Sequence, residues 1–204
     1  MIEIGLFPLG LVLLPTEQVP LHIFEPRYQE LIGESLESGI PFGIVYADDE
    51  GLRQVGTLAN VSEVTERFDD GRLNIVVAGG ERFRLLELTS GRSFVTGRVE
   101  VLDDQDDPAD GADIERALAL FARLAELTES DIDPPDSGTP ELSFAVAGRF
   151  ELSAELKQEL LAESSERIRL ARLCELLAIA AETVERQKDV ATRAQSNGKV
   201  HPPG

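Results

Sequence analysis

An α+β fold, a curled β-rich half followed by a helical half, is what this sequence of 204 residues predicts. Two patterns carry that expectation. As far as Leu102, apolar residues fall in short, partly alternating runs separated by Pro, Gly and Asp turn signals, which is how strands read. From Asp103 onward the apolar residues recur every three to four positions, which is how amphipathic helices read. Hydrophobic residues make up 42% of the chain, enough for a packed core in one large domain or two small subdomains. With no Trp and one Met, that core must rest on Leu, Val, Ile, Ala and nine Phe.

Residues 2–14 read as two short strands, IEIGLF and LVLL, joined at Pro8, with VPLHIF as a third extended piece. Proline in such runs marks edges and bends. Pro26, after Glu25, suits the first turn of a helix. Tyr28, Leu31, Ile32 and Leu36 then form one apolar stripe, and Gly39 supplies the stop. PFGIVYA is a strand and DDEG its turn. VGTLANVSEVTERF is a long strand anchored by Leu58, Val61 and Val64, whose irregular spacing predicts a bulge near Asn60. Asp69-Asp70-Gly71 reads as a hairpin turn, RLNIVVAGG as the return strand and Gly79-Gly80 as a bend before ERFRLLEL. SFVTGRVEVL closes the β section. About seven strand segments with one early helix suggest a small barrel or sandwich.

In the helical half, Ala112–Leu127 carries Ile114, Leu118, Phe121 and Leu124 at helical spacing. Thr139-Pro140-Glu141 reads as a cap leading into a short apolar helix over Leu142–Phe150. Ser153 caps AELKQELLAE, and a last helix spans about Glu166–Arg186. The resulting division is a β subdomain over 1–102, an acidic linker over 103–111, a helical subdomain over 112–186 and a disordered tail over 187–204.

Net charge is −19, and Asp103–Glu141 alone holds 13 acidic and 2 basic residues. Such a field repels phosphate backbones and anionic bilayers, so nucleic acid and membrane are not expected partners. Cys174 is the only cysteine, in an apolar context, which predicts a buried thiol and a reducing, cytoplasmic setting. The apolar N-terminus has no basic residue before Arg27 and is broken by Pro8, Gly10 and Pro15, unlike a secretion signal.

Motifs of chemistry are sparse. No phosphate loop, dinucleotide fingerprint, paired cysteines or G-x-S-x-G elbow occurs. A small hydrolase or ligand-binding enzyme would have to use His22, in LHIFEPRYQELI, or the acidic loop. The alternative for His22 is a hydrogen bond that anchors its turn. DDQDDPADGAD could offer oxygen ligands to a cation, though it lacks EF-hand spacing. No catalytic, cofactor-binding or metal-binding residue is assigned. What remains is surface recognition, with Phe7, Leu13, Phe24, Pro26 and Phe42 as candidates for an apolar peptide-binding surface.

Beyond these patterns, LFPLGLVLLPTEQVPLHIFEPRYQELI, PFGIVYADDEG, VGTLANVSEV, DGRLNIVVAGGERFRLLEL and GRVEVL together resemble the N-terminal substrate-binding domain of the Lon protease family, with PLHIFEPRY the most specific stretch. The resemblance covers roughly residues 4–186. It implies a PUA-like β pseudobarrel followed by a C-terminal four-helix bundle. It also implies a role in recognising unfolded or client proteins, as a binding module or adaptor working with a protease or chaperone. It carries over no catalytic residue, and the chain is expected to be a stand-alone form without ATPase or protease domains. PUA-like folds often bind RNA, a reading the charge opposes. Within this resemblance Phe24 is expected to plug the barrel, Pro26 to start the helix, and Glu25 and Arg27 to point outward or brace neighbouring loops.

Overall fold

Backbone polar groups in a β-rich chain are satisfied without long free edges when the sheet closes on itself, and most of this sheet does. The structure, a computed structural model, describes residues 1–197, with side chains through Ala191. The first half holds β1 (Ile2–Leu9), β2 (Gln18–Ile23), α1 (Pro26–Ser38), β3 (Phe42–Asp48), β4 (Gly51–Leu52), β5 (Val55–Arg67), β6 (Leu73–Thr89) and β7 (Thr96–Val101). The second holds α2 (Gly111–Thr128), α3 (Leu142–Ala147), α4 (Ala154–Ala162) and α5 (Glu166–Asn197). The predicted α+β order is therefore the observed one. β1, β7, β6, β5 and β3 pair in that sequence, and β3 returns to β1 in parallel, so the strands close into a small barrel.

β1 runs straight through Pro8 instead of breaking there. Its first half pairs with β7 and its second half, Leu6–Leu9, with β3. Pro8 thus lies where the strand has a neighbour on one side, and its missing N–H costs no ladder bond. LVLL is not a strand. Residues 11–17 form a strap across the barrel, with Val12, Leu13 and Leu14 buried. Thr57 Oγ1 donates to the Leu13 carbonyl (2.6 Å), Thr16 N to the Gly79 carbonyl and Gly79 N to the Glu17 carbonyl (2.9 Å each). At Gly79 the strap lies so close that a β-carbon would sit 2.1 Å from the Leu14 oxygen, so only glycine fits. The Gly79-Gly80 bend is also where β6 changes partner, from β2 before it to β7 after it.

β5 shows three register breaks against β6, two of them flanking Asn60, where one bulge is expected. The Asp69–Gly71 turn forms as predicted, with Gly71 at φ 88°. α1 starts at Pro26 and ends at Gly39, whose left-handed backbone lets its N–H reach the Ser35 carbonyl. Tyr28, Leu31 and Ile32 are buried. Leu36 is exposed instead: it lies roughly 80° around the helix from Tyr28, at the margin of the stripe.

Asp110 caps α2 and Ser153 caps α4, each accepting a backbone N–H. The predicted Thr139 cap is not the one used; Glu141 precedes α3 and makes no side-chain cap. The N–H of Ser143 is instead taken by the Glu166 carboxylate from α5 (2.8 Å). α5 continues past Arg186 to Asn197, so residues 187–197 are helical where a tail was expected. Gln, Lys, Ala and Arg there prolong a helix already nucleated, without needing an apolar stripe. The rest of the expected tail, 198–204, lies outside the described residues.

The ring of five strands is filled by Ile4, Leu6, Val45, Leu58, Phe83 and Val99, and a larger core of Phe7, Leu13, Ile23, Phe42, Ile44 and Ile75 lies on the other strand face, beneath α1 and the strap. The helical core runs through Phe121, Phe144, Leu173 and Leu177, and Val12, Leu14, Tyr46 and Val55 of the barrel half belong to it. The two halves therefore share a hydrophobic seam. Cys174 is buried in it, and burial pushes its thiol pKa up.

A charged cluster fastens that seam. Arg82 on β6 donates to the Leu161 and Glu163 carbonyls (2.8 Å each) and pairs with Asp104. Arg169 on α5, fully buried, donates to Ser143 Oγ (3.0 Å), the Glu163 carbonyl (2.7 Å), Asp104 and Glu166. Both guanidinium groups lie over the Phe144 ring, at 5.5 and 4.3 Å from its centroid. At Arg169, Asp104 and Glu166 together outweigh burial and raise the pKa; at Arg82 burial wins and lowers it. Thus the 103–111 segment is a fastened strap rather than a free linker: Asp104 holds both arginines, and Asp107 holds Arg167 and Ser165.

Arg169→Leu should strand the carboxylates of Asp104 and Glu166 and cost about 3–5 kcal/mol in urea unfolding, whereas Arg172→Leu, on the exposed face of α5, should move the midpoint little. Glu141 beside this cluster has its pKa raised, chiefly by burial and then by Asp104. A folded-state pKa above the unfolded one means stability falls as pH rises through that interval. Glu141→Gln should therefore raise the unfolding midpoint at pH 7, and its advantage should vanish near pH 4.

Candidate functional site

The stretch singled out in the sequence, HIFEPRY, crosses from β2 into α1, and it forms one wall of a groove of about 310 Å³. β1 contributes Phe7, Pro8 and Leu9, β2 contributes Leu21 to Ile23, and the turn into α1 adds Phe24, Glu25, Arg27 and Tyr28. Strand alternation sets what faces where. Val19, Leu21 and Ile23 pack toward the core beneath α1, so Pro20, His22 and Phe24 point outward. The floor is aromatic: Phe7 and Tyr28 lie 4.1 Å apart, centroid to centroid, with Phe42 behind Phe7 at 6.5 Å. Burial raises the Tyr28 hydroxyl pKa, partly offset by the Arg27 guanidinium over its ring.

Phe24 overturns the expectation of a barrel plug: it is 60% exposed, at the rim. Pro26 is also exposed, at the start of α1. Leu13 and Phe42 are core residues beneath α1, while Phe7 is largely buried but keeps one edge at the groove. Of the five sequence candidates, Phe7 and Phe24 line this groove, the first as floor and the second as rim. Glu25 and Arg27 pair with one another (2.7 Å).

His22 is exposed, stacked 6.0 Å from Phe24 and edge-on to Phe68 at the same distance. Asn74 donates its amide to Glu66 (2.8 Å), which leaves Asn74 Oδ1 to accept from His22 Nδ1 (2.6 Å). The histidine is thus tied across to β6 rather than within its own turn. The residues lining the groove beside it carry no hydroxyl or thiol except the Tyr28 phenol. On its other side, the Thr65 hydroxyl is spent on the Asn74 carbonyl (3.1 Å). This surrounding suits an aromatic platform better than a nucleophile and base. The acidic loop, the other candidate for chemistry, uses Asp104, Asp107 and Asp110 in ion pairs and a helix cap. Among the described residues no group of three His, Cys, Asp or Glu could hold a metal ion.

The family described as the ATP-dependent protease La (LON) substrate-binding domain matches residues 3–178. This chain belongs to that family. Relatives of the Lon domain seen here include the Lon protease of Parabacteroides distasonis, 28% identical over 134 residues (61% of this chain, 16% of that protein). The Lon protease of Paraburkholderia phytofirmans is 25% identical over 208 residues (93% of this chain, 25% of that protein). The Lon-family chain therefore spans a quarter or less of the curated relatives named here. The crystal structure of a Lon N-terminal domain protein from Xanthomonas campestris superposes with a TM-score of 0.66 at 25% identity, covering 85% of this chain and 97% of that one. The N-terminal domain of Mycobacterium avium complex Lon protease shares the fold at a TM-score of 0.67 and 19% identity, covering 86% and 98%. Among the described residues no helix of this Lon-type domain is long and apolar enough to cross a membrane.

Replacing rim and floor should separate their roles. Phe24→Ala should leave thermal stability within about 0.5 kcal/mol of the parent, as expected for an exposed side chain, whereas Phe7→Ala should cost about 3–5 kcal/mol.

Proposed function

We propose that this chain is a non-catalytic substrate-binding module that captures apolar segments of unfolded polypeptide in the groove between β1, β2 and α1, within a protease context. The observation that carries this reading is Phe24: a large aromatic residue 60% exposed beside a concave aromatic floor. Such a side chain raises affinity for an apolar partner and adds little to the fold. Family membership supports the substrate class, since the matched family is described as a substrate-binding domain. The absence of a phosphate loop or G-x-S-x-G elbow from the sequence is consistent with recognition rather than turnover. A role as an adaptor, presenting a client to a separate partner, uses the same groove.

Fluorescence anisotropy with labelled, aromatic-containing unfolded peptides tests this directly. The parent protein should bind, and Phe24→Asp should weaken binding about tenfold or more while circular dichroism and melting temperature stay unchanged. Binding unaffected by Phe24→Asp would place the capture surface elsewhere.

A further inference from the structure

We infer that the groove takes its polypeptide as an added β-strand along the outer edge of β2, and that it favours an aromatic residue flanked by Lys or Arg. The inference rests on the substrate-binding reading above and specifies how the segment is held. Among the described residues β2 pairs with β6 alone, so one of its edges has no strand beside it.

Which backbone groups occupy that edge follows from β6. The Val76 carbonyl accepts from Ser62 Oγ (3.0 Å) and the Asn74 carbonyl from Thr65 Oγ1 (3.1 Å), and both donors stand on β5. In an antiparallel sheet the N–H and C=O of one residue point the same way. Val76 and Asn74 therefore turn toward β5, and their partners across the other side, Pro20 and His22, occupy non-hydrogen-bonded positions. The backbone groups of Pro20 and His22 then face outward. Pro20 has no N–H, so it sacrifices no bond to β6 there. The open edge offers the His22 N–H, the His22 carbonyl and the Pro20 carbonyl, the pattern an incoming strand can match. Its exit is marked by Phe24, against which an aromatic side chain of that strand packs.

Charge identifies the occupant. The β5–β6 hairpin, which flanks β2 on the side away from this edge, carries Glu63, Glu66 and Asp69 against Arg67 once Asp70 is paired with Arg72, and the chain as a whole carries −19. Arg27, at the groove, is neutralised by Glu25. A cationic segment is attracted to this surface, while a second copy of the chain is repelled by it.

Backbone methylation of the ligand separates strand addition from simple apolar contact. A labelled peptide with one central aromatic residue and flanking lysines is prepared with N-methyl groups on odd or on even positions. Only alternate N–H groups of an added strand face β2, so one pattern should weaken binding about tenfold and the other leave it near that of the parent peptide. Changing the flanking lysines to glutamates should also weaken binding, with the gap closing as salt is raised. The His22 amide should shift in an isotope-edited spectrum on binding. Equal affinity for the two methylation patterns overturns strand addition and leaves apolar capture standing. Failure of the parent peptide to bind overturns both. A concentration-dependent dimer abolished by Phe24→Asp would show a second copy on the edge and also overturn the proposal.

Discussion

Two guanidinium groups against one phenylalanine hold the halves of this molecule in register. Arg82 belongs to the barrel and Arg169 to the long helix, and both reach the Phe144 ring and the carboxylate of Asp104. Buried charges of this kind add little net stability over a well-packed apolar alternative, because desolvation offsets most of their attraction. What they add is geometry. An apolar seam tolerates sliding, whereas a guanidinium with donors fixed in a plane accepts few arrangements of carboxylate and carbonyl. Glu166 extends the constraint to α3 through the Ser143 N–H and hydroxyl. The orientation of the helices on the barrel, and of the strap between them, depends on this cluster.

Much of the fold was legible from local chemistry. The switch of apolar period at Asp103, the glycine turn at Asp69–Gly71, the proline start of α1 and its glycine stop all act within a few residues and appear as expected. The misreadings share a cause. LVLL has strand composition, yet these residues are fixed by a Thr57 hydroxyl and a glycine contact from strands more than 40 positions away. Thr139-Pro140-Glu141 has the look of a helix cap, yet the helix starts after Glu141, and its first-turn Ser143 N–H is taken by a carboxylate from another helix. Asp104 reads as a solvated acid because its arginines lie 22 and 65 residues distant. Long-range polar pairing has no period for a sequence to display.

The groove was half legible. PLHIFEPRY marked the right corner, but the role of Phe24 was inverted, because a lone phenylalanine before a helix reads as core on hydrophobicity alone. The signal that corrects this was present: Val19, Leu21 and Ile23 alternate with Pro20, His22 and Phe24, and period 2 puts the second set outside. Phe7 as floor and Phe42 as core could not be told apart in advance, since both sit in strands beneath α1 and differ only in that Phe7 reaches the groove.

Closure through β1 has a consequence for how the chain is made. Ile2 pairs with Val99, at the other end of the β half, while Leu6 to Leu9 pair with β3 much sooner. At roughly 5–20 residues per second, the first strand waits on the order of 5–20 seconds at the ribosome before its second neighbour is translated. During that interval α1 and β3 can shelter its inner half, leaving the outer half as the last seam of the barrel to close.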